Sequence, residues 1–263
     1  MAPSSLPLRA AILSLLLLAI LLGAWELAVQ PPANTHGARV PGPSKIFEHA
    51  VNELSDPFYD AGPNDKGIGL QLAYSIARVL SGYLLAAMMA IPAGFVIGMS
   101  PLWRRALDPY IQVLKPISPL AWMPLALYVI KDSATSAIFV IFICSIWPML
   151  INTAFGVASV RRDYINVART HELSPLATAL QVILPAAAPT ILTGMRISIG
   201  ISWLVIVAAE MLVGGTGIGY YVWNEWNNLN LASVIFSIIM IGLVGMLLDQ
   251  LLAYAQGLVQ YED

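Results

Sequence analysis

The hydrophobic residues of this chain fall in long blocks that short polar stretches separate. A membrane-spanning helix needs about 20 predominantly apolar residues. Blocks of about that length recur along the whole chain, so the pattern predicts an all-α, polytopic membrane protein with six transmembrane helices. The predicted spans are 10–29, 79–99, 109–130, 133–160, 186–210 and 231–248.

The first block has a second interpretation, as a cleaved signal peptide. Its apolar run continues past Glu26 to Val29, and no small-x-small cleavage site follows directly. A run of this length fits a span. We therefore expect a retained N-terminal transmembrane helix within residues 1–30.

The polar stretches divide the rest of the chain into a long loop, a five-helix core and a tail. In the loop, Ser44 could cap a short amphipathic helix at the membrane surface. Its predicted apolar face is Ile46, Phe47, Val51 and Leu54. The predicted boundaries are 31–70 for the loop, 71–255 for the five-helix core and 256–263 for the tail.

Composition supports a membrane protein without catalytic chemistry of its own. The chain is 58% hydrophobic and 11% charged, whereas soluble domains carry about a quarter charged residues. The single cysteine, Cys144, excludes a disulfide within the chain. The sequence holds no phosphate loop and no His/Cys cluster spaced for a metal, so we expect neither catalytic residues nor a metal site.

The distribution of Lys and Arg predicts the orientation. An even number of spans places both termini on one side of the membrane. When the long loop is left out, that side carries more Lys and Arg than the opposite side. Cytoplasmic loops carry the excess of positive charge. We therefore expect both termini in the cytoplasm.

Residues 161–185, which we call the elbow, form a long polar interruption between two spans. The pattern predicts two short helices, 163–171 and 176–184, with Ser174 capping the second and Pro185 ending it. A plain connecting loop on the membrane is the alternative, but such connections usually have two to eight residues. The elbow is therefore predicted to be a cytoplasmic knob that docks on a partner.

The sequence NVARTHELSPLATALQVILPAAAPTILTGMR resembles the cytoplasmic loop of importer permeases of the ATP-binding-cassette (ABC) class. The family pattern is Glu-Ala-Ala, three residues, Gly, nine residues, then Ile-x-Leu-Pro. The resemblance implies the type I ABC importer permease fold, with the elbow as coupling helices seated in a cleft of an ATPase subunit. The implied coupling residues are Arg161, Arg162, Tyr164, Asn166, Val167, Ala168, Arg169, Glu172, Leu184 and Pro185.

Two positions of the elbow depart from that pattern. Asn166 replaces the acidic residue, so any ion pair made there in relatives is absent. Glu172 replaces the glycine, and a glutamate rarely adopts positive φ. We expect either a bend of different construction or one set by Ser174 and Pro175.

Two further segments, LDPYIQVLKPISPLAWMPLAL and GISWLVIVAAEMLVGGTGIGYYVWNEWNN, resemble the permeases for nitrate, bicarbonate and cyanate, which neighbour the taurine and alkanesulfonate permeases. This resemblance implies ATP-driven import of a small inorganic anion, with nitrate foremost and nitrite, bicarbonate or cyanate possible. A taurine or alkanesulfonate importer, an ATPase-independent channel or carrier, and a structural membrane subunit are the alternatives.

The same resemblance implies the partners. They are a second permease chain in a homodimer, two cytoplasmic ATP-binding subunits that hold ATP and Mg²⁺, a periplasmic or lipid-anchored solute-binding protein, and membrane lipid. It implies no cofactor in this chain and no nucleic acid.

An anion inside the bilayer needs compensating charge, and charged residues there are usually functional. Lys115 and Arg196 are predicted to lie in spans at similar depth, and one or both are predicted to attract the anion. Alternatively, Lys115 snorkels to the interface, while Arg196 pairs with helix-end carbonyls or holds the elbow. The third span carries Lys115 and four prolines, so it is expected to be kinked and internal.

Three more residues complete the candidate pathway. Ser118 and Trp122 follow Lys115 in the third span. Trp122 could equally serve in packing between helices, as could Trp147. Glu210 either repels anions as part of a gate or bonds to the turn at Gly214–Gly215.

Overall fold

The computed structural model describes residues 6–29, 40–62 and 65–258, and its helices confirm the all-α prediction. A two-stranded antiparallel hairpin, β1 (Asp60–Gly62) and β2 (Asp65–Lys66), precedes α3. A π-helical segment (Ala179–Ile183) lies between α8 and α9. The helices are α1 (Leu6–Val29), α2 (Pro43–Ser55), α3 (Ile68–Met99), α4 (Pro101–Leu114), α5 (Pro119–Ile130), α6 (Ser133–Ala158), α7 (Arg162–Thr170), α8 (Pro175–Thr178), α9 (Leu184–Val213), α10 (Ile218–Asn227) and α11 (Leu231–Gly257).

Within the described ranges, 5 helices are long and apolar enough to cross a membrane, and the bent pair α4–α5 brings the number to 6. The second span begins at Ile68 rather than at residue 79. The predicted single third helix, 109–130, is wrong, because α4 and α5 meet at 90° across a break. Pro116 and Pro119 lie in and beside that break, where they cannot donate backbone hydrogen bonds.

The core is built around close contact of α3 with α6. Small residues repeat every fourth position along α3, which places them on one helix face. A Cβ at Gly94 would lie 2.7 Å from the Leu150 carbonyl oxygen, and one at Gly98 would lie 2.7 Å from that of Ala154. These two glycines therefore let the backbones of α3 and α6 approach closely. The row is Gly82, Ala86, Ala90, Gly94 and Gly98.

The loop helix α2 begins differently from the prediction. Its N-cap is Gly42, not Ser44. Ser44 instead donates from its backbone nitrogen and its hydroxyl to the Glu26 carboxylate of α1, at 3.1 and 2.8 Å. A carboxylate at a helix N-terminus is favourable because the first N–H groups lack partners within the helix. Glu26 therefore joins α1 to α2.

The predicted apolar face of α2 is covered by the rest of the chain only in part. Ile46 is buried, but Phe47, Val51 and Leu54 are exposed. The contact with α11 includes His49, whose Nε2 lies 2.9 Å from the Ser233 hydroxyl and whose ring meets Phe236 edge-on. A surface position for the exposed face remains a prediction.

Parts of the predicted segments lie outside the described residues. These are 1–5 of the N-terminal region, 30–39 and 63–64 of the loop, and 259–263 of the tail. Arg39, one of the cations of the long loop whose side was predicted from the Lys and Arg distribution, is among them.

The α3–α6 contact predicts the effect of adding one methyl group. We expect Gly94→Ala to destabilise the chain by about 1–3 kcal/mol, since overpacking shifts well-packed helices. The matched control is Gly242→Ala in α11, where an added Cβ meets nothing within 4 Å. That control should be neutral or up to about 1 kcal/mol stabilising, because alanine favours helix. Unfolding in detergent measures both, and equal stabilities would contradict the packing.

Candidate functional site

The first arm of the elbow is α7. Asp163 lies in its first turn and Arg169 in its last, which matches the charge preference of the two helix ends. Arg161 precedes the helix, donates to Asp163 at 2.9 Å, and stacks over the Tyr164 ring at 5.9 Å. These polar contacts are exposed. They order the surface of the arm but leave it accessible.

The bend after α7 is a helix-ending turn with a left-handed residue. Glu172 has φ 52°, and its N–H donates to the Arg169 carbonyl at 3.0 Å. The next N–H, of Leu173, donates to the Ala168 carbonyl at 3.1 Å. This pair of bonds is the Schellman motif, which usually has glycine at the left-handed position. Neither expected alternative holds, because Glu172 itself adopts the conformation of the glycine.

The second arm was predicted to end at Pro185, and this prediction is wrong. The Ser174 hydroxyl accepts from the Ala177 N–H at 3.2 Å, which confirms the serine cap. From there the chain stays helical through the π segment and into the fifth span, over Pro175–Val213. Pro185 lacks the N–H that an α-helical turn needs, and the wider π turn directly before it accommodates that loss. The arm and the span form one continuous helix.

The elbow exposes an apolar surface beside its basic residues. Tyr164, Val167, Leu176 and Leu180 are 49–68% exposed. On the inner side, Ala168 and Ile183 are buried, and Ile183 packs in a cluster that anchors the arm to the spans. Such a surface can enter an apolar groove with an acidic rim. Of the predicted coupling residues, Ala168 is buried, Leu184 is half-buried, and the exposed ones are Arg161, Arg162, Tyr164, Asn166, Val167, Arg169, Glu172 and Pro185.

One lysine and two tryptophans line a cavity at the break between α4 and α5. Lys115 caps the end of α4, and Ser118 begins α5. Lys115, Trp122 and Trp147 line one cavity of about 160 Å³. The sequence placed the first two on one helix, but their meeting with Trp147 of α6 could not be read from it. Ser118 does not line this cavity.

Arg196 is neutralised by a partner that neither predicted alternative named. Its Nε and NH2 donate to the two oxygens of Asp249 in α11, both at 2.6 Å. This bidentate geometry is the strongest form of such a pair. In contrast, none of the ion pairs among the described residues includes Lys115. Of the two predicted pathway cations, Lys115 is the one with an unpaired charge.

Glu210 bonds to the predicted turn through its backbone carbonyl, which accepts from the Gly214 N–H at 3.0 Å, and its side chain bonds to Gly219 at the start of α10. Its carboxylate accepts from the Gly219 N–H at 3.0 Å and from the Ser75 hydroxyl at 2.8 and 2.9 Å. It also pairs with Arg78 at 2.7 Å. Glu210 is 2% exposed. In this structure it is therefore a buried structural anion and not an exposed gate.

Sequence reasoning missed the partners of Glu210 on α3. Gln71, Ser75 and Arg78 follow at helical spacing, so they share one face. Their polar face would have been visible had the second span been started at Ile68. Together with Glu210 they satisfy the first N–H groups of α10: Gly217 donates to Gln71 at 2.6 Å, Ile218 to Ser75 at 2.9 Å, and Gly219 to Glu210. We call Gln71, Ser75, Arg78 and Glu210 the polar clamp.

The polar clamp also explains the glycines of the loop. Gly217 has φ 120°, and a Cβ there would overlap the Glu210 carboxylate. A Cβ at Gly219 would overlap the Val207 carbonyl oxygen. Arg78 closes the loop from the other side by donating to the Thr216 carbonyl at 2.5 Å. Within the described ranges no group of three metal-binding side chains occurs.

Comparison with known proteins identifies relatives over most of the chain. Residues 73–259 match the family described as binding-protein-dependent transport system inner membrane component. The chain is 43% identical over 242 residues to the nitrate import permease protein NrtB of Synechocystis sp., covering 92% of this chain and 86% of that one. It is 46% identical to the Leptolyngbya laminosa protein of the same name, covering 89% and 82%. It is also 43% identical to the bicarbonate transport system permease protein CmpB of Synechocystis sp., covering 84% and 80%.

Solved structures share the fold. A chain of the inward-facing MetNI methionine ABC transporter superposes with a TM-score of 0.65 at 14% identity, covering 73% of this chain and 95% of that chain. A chain of an amino acid ABC transporter superposes with a TM-score of 0.59 at 13% identity, covering 81% and 96%. These likenesses confirm the predicted fold class.

The polar clamp predicts a large loss of stability from one substitution. Arg78→Met leaves Glu210 buried without its counter-ion, which typically costs about 3–5 kcal/mol. The matched control is Arg105→Met on α4, where the side chain is exposed and a change within about 0.5 kcal/mol is expected. Unfolding in detergent compares the two variants. A stable Arg78→Met protein would show that the ion pair contributes little.

Proposed function

The chain belongs to the family of binding-protein-dependent transport system inner membrane components, and from this premise we propose that it is the permease subunit of an ATP-driven importer for nitrate. The observation that supports nitrate as the substrate is the similarity of the chain to nitrate import permeases over about nine-tenths of its length. Bicarbonate is the second candidate, because a bicarbonate permease is 43% identical. Nitrite and cyanate belong to the same class of small anion. These relatives favour that class over taurine and alkanesulfonates.

Like its relatives, which are permeases, the chain is a transport subunit and not an enzyme. ATP and Mg²⁺ belong, in this proposal, to two cytoplasmic ATPase subunits that dock on two copies of the chain. A solute-binding protein delivers the anion on the opposite side, as the family description implies. The complex lies in the bacterial inner membrane with both termini of each chain in the cytoplasm.

The proposed coupling route starts at the elbow. The exposed Tyr164, Val167 and Leu176 supply apolar contact to the ATPase groove, and Arg161, Arg162 and Arg169 supply charge. Because the second arm continues into α9, a displacement of the elbow moves the fifth span directly. This continuity supports an ATPase-driven mechanism over an independent channel or carrier.

The proposed pathway uses Lys115 rather than Arg196. A cation already paired with a carboxylate offers a second anion little net charge, and Arg196 is paired in this way. Lys115 is exposed at the break between α4 and α5. It is therefore the charge that draws the anion into the membrane.

The function is tested by transport in a defined system. The chain is co-expressed with its ATPase and solute-binding protein, purified in detergent and placed in liposomes. We expect isotope-labelled nitrate to accumulate only with ATP and the solute-binding protein. Absence of a nucleotide-binding partner from the purified complex, or uptake that needs no ATP, would contradict the importer.

The elbow is tested by a charge placed in its apolar surface. Val167→Glu should abolish co-purification of the ATPase, because a glutamate in an apolar groove is desolvated without a partner. The matched control is Val40→Glu, a similarly exposed valine ahead of α2. Glu172→Gly should keep docking and stabilise the elbow by about 1 kcal/mol, since the left-handed conformation carries no Cβ penalty for glycine. Retained docking in Val167→Glu would remove the elbow from the interface.

A further inference from the structure

Two cavities meet at Lys115. The first, of about 160 Å³, is lined by Lys115, Trp122 and Trp147, with Cys144 and Pro148 beside them. The second, of about 340 Å³, is lined by Lys115 and further polar residues of α4. These are Arg104, Asp108 and Gln112. Lys115 is the residue that the two cavities share.

The two cavities lie at different depths along α6. Trp147 is near the middle of that helix, about 21 Å from its start at 1.5 Å per residue. Ala154 and Phe155 line the second cavity and lie in the last turns, next to the elbow. Lys115 therefore separates a cavity at mid-membrane depth from one at the elbow end.

The first cavity contains hydrogen-bond donors without acceptors. Among the described residues, no hydrogen bond is made by the indole N–H of Trp122 or of Trp147, whereas Trp203 donates to the Ile241 carbonyl at 2.9 Å. Both indoles are half-buried, so their N–H groups stay open to an acceptor. Lys115 adds an ammonium with three further donors. No carboxylate lines the cavity, so these donors are available to an external acceptor.

We propose that this cavity is an oxyanion subsite, in which Lys115 supplies the charge and the indole N–H groups of Trp122 and Trp147 donate to the oxygens. This inference rests on the proposed function and assigns the anion's place within the permease. The single cationic residue matches a monovalent anion, because a second negative charge would stay uncompensated inside the bilayer. The flat indole rings of the two tryptophans suit a planar anion.

The lining separates candidate substrates by chemistry. Nitrate and bicarbonate are planar, carry one negative charge and accept hydrogen bonds at each oxygen. Taurine carries an ammonium group as well as its sulfonate, and the cavity offers that ammonium no carboxylate. From this subsite, release past Lys115 leads to the second cavity, where Arg104 offers the next cationic group. The Gln112 amide there donates to the Asp108 carboxylate at 2.6 Å.

The test is equilibrium binding of isotope-labelled nitrate to the purified permease–ATPase complex, without nucleotide and without solute-binding protein. Trp122→Phe and Trp147→Phe each remove one N–H but keep an aromatic ring. We expect each to weaken nitrate binding roughly tenfold, as for loss of one hydrogen bond to a charged group. Lys115→Gln should weaken it more. The matched control is Trp223→Phe in α10, which lies outside the cavity and should bind as the unchanged complex does.

Assembly and thermal stability of each variant are measured in parallel, and the two phenylalanine variants test the cavity independently should one fail to assemble. Bicarbonate should compete with nitrate and sulfate should not. Unchanged affinity in an assembled phenylalanine variant, equal competition by sulfate, or no nitrate binding by the unaltered complex overturns the subsite. Any of these results leaves the importer in place if ATP-dependent nitrate uptake persists. Loss of that uptake in the unaltered system would instead reject the proposed function.

Discussion

The structure depends on how closely α3 can approach α6. Lipid offers no hydrophobic force to drive helices together, so packing contacts must supply the attraction. The small residues at Gly82, Gly94 and Gly98 bring the α3 backbone against carbonyl oxygens of α6. With α3 held there, Gln71, Ser75 and Arg78 reach the loop after α9. The helix contact therefore fixes both the core and the polar clamp above it.

Charges inside this fold are divided between structural and unpaired groups. Arg78 with Glu210 and Arg196 with Asp249 are closed pairs that join different helices. Lys115 belongs to neither, and it lies where the chain breaks between α4 and α5. A paired charge stabilises a position, whereas an unpaired one attracts a mobile ion. The pairing pattern thus separates the charges that join helices from Lys115, which we propose as the charge that draws the anion.

The sequence predicted the features that depend on local composition and failed where distant segments meet. Span number and the Ser174 cap follow from residue type and spacing. The partner of Arg196 could not be predicted, because Asp249 lies 53 positions away in the chain. The break at Pro116 and Pro119 was expected only as a kink, since prolines disrupt a helix without fixing the angle. The left-handed Glu172 went against residue preference because the hydrogen bonds of the turn outweigh its cost.

The continuous helix Pro175–Val213 has a mechanical consequence. Its glycine contact with α6 at Gly194, where a Cβ would lie 2.9 Å from the Pro148 carbonyl oxygen, falls at the midpoint of its 39 residues. Each half is therefore about 28 Å long at 1.5 Å per residue. A rod that tilts about its midpoint moves its two ends by equal amounts in opposite directions. In the proposed coupling, a push of a few ångströms at the elbow would then swing Glu210, which lies just short of the far end, by somewhat less in the opposite direction, while Pro148, next to Trp147, stays at the pivot.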